Sequence, residues 1–208
     1  MKRLIATLAL LFVAIPTANS AITVKPMVQL AQVDAAATNV VASANQVAVI
    51  GNRNINGFIQ LVNGPTLELT SGVESFVSAA TADAQGNFYV VGASANPIVG
   101  TLPPISGVLN PDNVVSDPVS SNKSDATNLI YWKVSPVGTL LETQSMSMAA
   151  AVIPNSILVD ASGVTVGGTI YANPGYKGFV TTWNGAPTII GKSATQVHAI
   201  SKIGDSVI

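Results

Sequence analysis

One short pattern returns four times along this chain. A strand of small residues leads into a tight turn, then a β-rich strand, then a Gly, and the successive turns fall at Asn45, Gly86, Gly163 and Gly204. The steps from 45 to 86 and from 163 to 204 are both 41 residues, while the middle step is 77, one period with a 36-residue excess. A period near 40 residues has room for a unit of several strands. Such a unit cannot bury its faces alone, so neighbours must stack against one another.

The residues between the turns read as strands. In the first unit these are Ala37–Ser43, Val47–Gly51, Phe58–Val62 and Thr66–Leu69, with Asn63-Gly64 joining the last two. Asn-Gly between β-rich runs predicts a hairpin of type I′, since both residues tolerate positive φ. The second unit offers Phe76–Ala82, the turn Asp83-Ala84-Gln85-Gly86 and Phe88–Gly92. It closes with Leu129–Val134 and Thr139–Thr143 joined through Ser135-Pro136-Val137-Gly138. The third repeats the wording, with Asp160-Ala161-Ser162-Gly163, Val164–Gly168 and Phe179–Trp183 followed by Asn184-Gly185. Four strands per unit joined by tight turns is the blade of a β-propeller. A β-solenoid repeats at shorter periods and lacks these antiparallel hairpins.

The expected architecture is therefore an all-β propeller of four-stranded antiparallel blades, of which about three and a half are present. Its units run 36–71, 72–146, 147–195 and a partial 196–208, behind an N-terminal leader at 21–35. Because the last residues, Asp205 to Ile208, fall inside a second strand, the reading is of an N-terminal fragment whose missing C-terminal blades are partners of those seen.

Residues 1–20 stand apart. Lys2 and Arg3 precede an apolar run from Leu4 to Ile15, then Pro16 and the small tripeptide Ala18-Asn19-Ser20. That is the order of a signal peptide cleaved before Ala21. A membrane span needs about 20 apolar residues, more than this run supplies. No stable span is expected, and the chain is read as secreted, extracellular or at the cell surface. Without any Cys, neither a disulfide framework nor a lipid-bearing Cys is possible, so core burial must hold the domain.

Without Lys2 and Arg3 the balance is 7 basic against 10 acidic residues, a formal charge of −3 in place of −1. The remaining cations are scattered singly, which excludes a nucleic-acid binder that works by neutralising phosphates.

The wording of the second unit resembles the β-propeller repeats of secreted bacterial proteins, the SBBP type. The resemblance rests on Gly86-Asn87-Phe88-Tyr89-Val90-Val91-Gly92, then Leu102-Pro103-Pro104, then Asp125-Ala126-Thr127-Asn128-Leu129, then Ser135-Pro136-Val137-Gly138. It covers about 60 residues and implies an extracellular propeller, without implying a reaction.

Few residues offer chemistry. His198 is the only histidine, placed in a predicted inner strand Val197–Ser201, and reads as a polar residue near the channel. No Gly-x-Ser-x-Gly elbow accompanies it for a Ser-His-Asp triad. Gly185 to Ser193 imitates a phosphate loop but has five residues between its glycines where four are needed, and it lies on an outer strand. Asn122-Lys123-Ser124 fits a glycosylation sequon at chance level. Asp83 and Asp160 are expected to cap their turns through backbone N–H groups. Gly51, Gly92 and Gly168 are expected to end second strands where blades pack closely.

The excess is the exception. Ala93 to Asn128 connects two strands that the first unit joins with Asn52 to Asn56. Connections beyond about 15 residues are usually functional or disordered. Asn96, Asp112, Asn113, Asp117 and Asp125 make this segment the expected binding loop, with Asp112, Asp117 and Asp125 as candidate Ca²⁺ ligands. No other cofactor is expected, and the partner class is an extracellular protein or glycan. The functional reading is a non-catalytic module for binding, adhesion or display. The alternative is a propeller enzyme acting on extracellular polysaccharide, which would need paired carboxylates on one face.

Overall fold

The computed structural model describes residues 35–54, 56–71, 74–94, 126–148, 150–172, 175–191, 194–203 and 206–208. The expected signal peptide, nearly all of the leader, and Asn96, Asp112, Asn113, Asp117 and Asp125 lie outside them.

Three antiparallel meanders of four strands form in chain order. Sheet 1 is β1 (Ala35–Ala42), β2 (Val47–Arg53), β3 (Asn56–Leu61) and β4 (Thr66–Leu69). Sheet 2 is β5 (Ser75–Ala82), β6 (Phe88–Ser94), β7 (Asn128–Val134) and β8 (Leu140–Ser147). Sheet 3 is β9 (Val152–Asp160), β10 (Gly163–Ala172), β11 (Gly175–Thr182) and β12 (Thr188–Ile190). A short hairpin follows, β13 (Lys202–Ile203) with β14 (Ser206–Val207). Among the described residues there is no helix, hence none long and apolar enough to cross a membrane.

Alternation along the strands sends two apolar sets to opposite faces of sheet 2. Val90, Ile130, Trp132 and Val134 pack with Ile50, Ile59, Leu61 and Leu69 of sheet 1. Val91, Leu129 and Tyr131 pack with Ile157, Val166 and Phe179 of sheet 3. Sheet 2 is thus covered on both sides, and every residue of β6 is buried. The first strands β1, β5 and β9 lie side by side in that order.

The three glycines do more than end strands. Each first strand carries a bulge, at Thr38, Ser78 and Asn155, which its neighbour leaves unpaired. The bulge pushes a carbonyl toward the second strand, and a Cβ on Gly51, Gly92 or Gly168 would overlap the carbonyl oxygen of Ala36, Phe76 or Ile153 respectively. These positions are inside β2, β6 and β10, and β2 continues to Arg53. The connection in sheet 1 is accordingly two residues, 54–55, rather than Asn52 to Asn56. In sheet 2, Ala93, Ser94 and Asn128 are strand residues, so the long connection starts after Ser94 and ends before Asn128.

The Asn-Gly turns form where expected but not as type I′. Asn63 and Asn184 alone take positive φ, 60° and 64°. Gly64 and Gly185 donate backbone N–H bonds to Leu61 and Thr182, at 3.0 and 2.8 Å. A Cβ there would crowd the Leu61 and Thr182 side chains, so these glycines serve close approach instead of handedness. Gly86 and Gly138, at φ 86° and 85°, are the left-handed residues that close three-residue hairpin loops.

The expected inner strand Val197–Ser201 is the clearest departure. Residues 195–201 run without ladder partners, and pairing starts with the mutual Ser201 and Ile208 backbone bonds, both 2.8 Å. A first strand needs a second strand beside it, and β14 supplies only two paired residues. The register also moves the repeat mark: Asp160 pairs with Gly163 as Ile203 pairs with Ser206, so the equivalent of Gly163 is Ser206, 43 residues on.

Candidate binding site

Sheet 2 ends in a polar row on the side from which its long connection departs. Ser75, Ser94, Asn128 and Ser147 are mutual partners across β5, β6, β7 and β8. The first three are buried, directly beyond the apolar row Phe76, Ala93, Leu129 and Met146. Four polar residues in one register line, directly beyond an apolar row, give the sheet end hydrogen-bonding capacity that the row beneath it lacks.

Some of that capacity is unused. The Ser75 hydroxyl, the Thr127 hydroxyl and one carboxylate oxygen of Glu74 are shielded from solvent without a hydrogen-bond partner. Buried polar groups are almost always paired, so three such oxygens gathered at one sheet end set this place apart among the described residues. Burial pushes the Glu74 carboxyl above the usual carboxylate range. The backbone here is fixed: Met148 N–H donates to Thr127 C=O at 2.7 Å, and Val152 N–H to Ala126 C=O at 2.9 Å. Ala126 is fully buried, so the long connection returns to an anchored point.

The predicted loop ligands Asn96, Asp112, Asn113, Asp117 and Asp125 cannot be placed, since they lie outside the described residues. Sequence reasoning missed Glu74, Ser75, Ser94, Thr127 and Asn128. Their one signal was polarity at strand ends, which means nothing until the register lines the strands up.

The other residues singled out have structural employment. Asp83 accepts from the backbone of Gln85 (3.0 Å) and Asn87 (2.8 Å) and from the Asn87 side chain (2.9 Å). Burial opposes its charge, but these bonds and the nearby Lys133 prevail and lower its pKa. Asp160 accepts from Ser162 N–H at 2.7 Å and pairs with Lys202 at 2.5 Å, which with the Ser162 bonds brings it to about 2. Both caps are as expected. Within the imitation phosphate loop, Thr188–Ile190 form the outer strand β12, and His198 is exposed.

A second polar cluster lies toward the opposite end of sheet 2. Tyr131 meets Trp183 edge-on at 4.5 Å, and Lys133 sits 5.1 Å from the Tyr89 ring. Burial, the Glu142 charge, its bond to Glu142 and Tyr89 raise the Tyr131 pKa, and Gln144 also donates to Glu142. Glu142 is thereby engaged, as is Glu68, which accepts from Asn56. Among the described residues no three His, Asp or Glu side chains come together as metal ligands. Comparison with protein-family models and with curated proteins finds no match to this chain.

Proposed function

We propose that this chain is an exported β-propeller module that binds an extracellular protein or glycan without catalysis. The supporting observation is a contact that recurs between units. Val77 of β5 fills the space over Gly57 of β3, and Val197 fills the same space over Gly178 of β11. Residues 195–201 therefore take the position of a first strand relative to sheet 3, as β5 does relative to sheet 1. A unit-to-unit contact present at two of the three joints, together with adjacent first strands, supports the reading as stacked blades.

Binding belongs at the end bearing the orphaned oxygens. In a meander, the β6–β7 and β8–β9 connections leave from the same end, opposite the β5–β6 and β7–β8 turns, and propellers commonly bind ligands around the channel at such an end. Asp112, Asp117 and Asp125 belong to the connection whose two ends are there, and Ca²⁺ is the ion that such oxygens suit.

The test replaces 95–125 by the two residues Asn54-Ile55. Unchanged far-ultraviolet circular dichroism, with loss of signal on a glycan array and in Ca²⁺ calorimetry, is the expected result. Binding that persists in the folded variant places the site elsewhere.

A further inference from the structure

Two joints built in the same register are filled with different chemistry. The pairs Gly51–Phe58, Gly92–Ile130 and Gly168–Phe179 mark the same place in sheets 1, 2 and 3. Counted from them, sheet 1 presents Ala48, Ile59, Leu61 and Leu67 to sheet 2. From the same positions sheet 2 presents Tyr89, Tyr131, Lys133 and Gln144 to sheet 3. The facing wall changes as well, since Trp132 and Val134 of the first joint are replaced by Thr181 and Trp183 in the second. The first joint closes on aliphatic side chains and one indole, so stacking does not require the tyrosines, the ammonium or the amide of the second.

Those residues make a floor and a rim. Tyr89 and Tyr131 are buried, with ring centroids 6.1 Å apart. Trp183 reaches Tyr131 from across the joint, and its backbone N–H donates to Val164 C=O at 2.8 Å, which fixes it at the end of β11. Lys133, Glu142, Gln144 and Trp183 are half-buried. The Tyr131 hydroxyl and the Gln144 amide donate to Glu142, and the Lys133 ammonium bonds to Tyr89. Lys133 and Glu142 are direct cross-strand partners, and the Asp83 carboxylate also acts on Lys133. The row Tyr89, Lys133 and Glu142 lies beside the β5–β6 and β7–β8 turns, at the opposite end of sheet 2 from Glu74.

We infer that the groove between sheets 2 and 3 binds one uncharged pyranose ring of a glycan. Lys133 repels a cation, while Asp83 and Glu142 repel an anion, so the polarity of the ligand resides in neutral groups. Side by side, an ammonium donor and a carboxylate acceptor suit a group that accepts and donates at once, which a hydroxyl does. The C–H face of the ring lies against Trp183, and its hydroxyls accept from Lys133 and donate to Glu142 and to the Gln144 side-chain oxygen. This site is separate from the one proposed above and uses neither 95–125 nor Glu74, Ser75 and Thr127. A ring of about 12 non-hydrogen atoms binds with a dissociation constant of about a millimolar at ordinary ligand efficiency, too weak to hold a glycan on an array by itself.

Saturation-transfer nuclear magnetic resonance on the whole chain tests this, with methyl β-glucoside, methyl β-galactoside and methyl α-mannoside as probes. At least one is expected to show saturable transfer at millimolar concentration. Trp183→Val installs the residue that stands at the same position of the first joint, Val134, and is expected to weaken binding about tenfold or more. Glu142→Gln keeps the shape of a half-buried side chain and is expected to weaken it about fivefold, since a charged acceptor becomes a neutral one. Circular dichroism with thermal melting verifies folding, and Glu142→Gln decides the matter if Trp183→Val does not fold. The chain with 95–125 replaced by Asn54-Ile55 is expected to bind the same probe unchanged, whatever it does on the array or with Ca²⁺. A wild type that takes none of the three probes overturns the inference, as does a folded variant that binds within twofold of wild type. Transfer lost in the loop replacement overturns it too, because the ring would then sit at the other end of sheet 2.

Discussion

Sheets 1 and 2 are the same meander with different surroundings. β6 reads Phe-Tyr-Val-Val-Gly-Ala-Ser and is buried throughout, whereas β2 reads Val-Ala-Val-Ile-Gly-Asn-Arg, with Val47 exposed and Ala48 buried. The common elements are the bulge and the Gly opposite it. What differs is the number of covered faces: sheet 2 has a neighbour on each side, as buried strands of near-continuous apolar character require. The comparison separates what makes a unit fold, which both sheets share, from what makes it stack, which β6 and β7 carry most heavily.

The sharpest test removes the largest stacking side chain. Trp132 is fully buried between sheets 1 and 2, and Trp132→Ala is expected to cost about 4 kcal/mol. On the outer strand β8, Leu141→Ala should stay within about 0.5 kcal/mol, since Leu141 is half exposed. Urea titrations of both would break the comparison if they coincided.

Next in size is the shared device. Gly92→Ala drives a methyl into the Phe76 carbonyl and is expected to cost about 3 kcal/mol. Gly51→Ala should cost less, because sheet 1 with its exposed β1 can shift more freely. Equal losses of melting temperature would show that the bulge, and not its surroundings, sets the penalty.

A smaller effect probes the joint itself. Asn52→Ala strands both the N–H and the C=O of Val77 and is expected to lose about 2 kcal/mol. Asn52→Asp keeps the acceptor for Val77 N–H but sets a carboxylate oxygen against its carbonyl, so it should not rescue. Recovery in the Asp variant would mean that the carbonyl bond is dispensable.

The smallest effect lies in the last hairpin. Asp160 has its pKa lowered from 3.8 to about 2 in the fold, so its contribution is present above pH 4 and is lost as the pH falls toward 2. Hydrogen exchange at Lys202 and Ile203 is expected to quicken in that window, more than exchange in β6. Lys202→Met should abolish most of the difference. An unchanged acid profile in that variant would assign the effect to the Ser162 bonds instead.

Much of the fold was legible. Turn residues and β-rich runs located ten of the first twelve strands to within about four residues, though not β9, because Gly, Asn and Asp act locally on φ and on nearby N–H groups. The Asp83 and Asp160 caps followed from the same local chemistry. The polar row Ser75, Ser94, Asn128 and Ser147 was not legible, since its members are brought together only by pairing across four strands.

What the amino-acid order determined on its own was therefore the unit: four antiparallel strands with their turns, set by backbone preferences within a few residues. Only the tertiary structure decided how units meet. It placed Val77 over Gly57 and Val197 over Gly178, turned Gly51, Gly92 and Gly168 into seats for a neighbouring carbonyl, and left 195–201 without a ladder. Those outcomes depend on register and on surfaces tens of residues apart, and a one-residue shift in pairing would send each side chain to the opposite face.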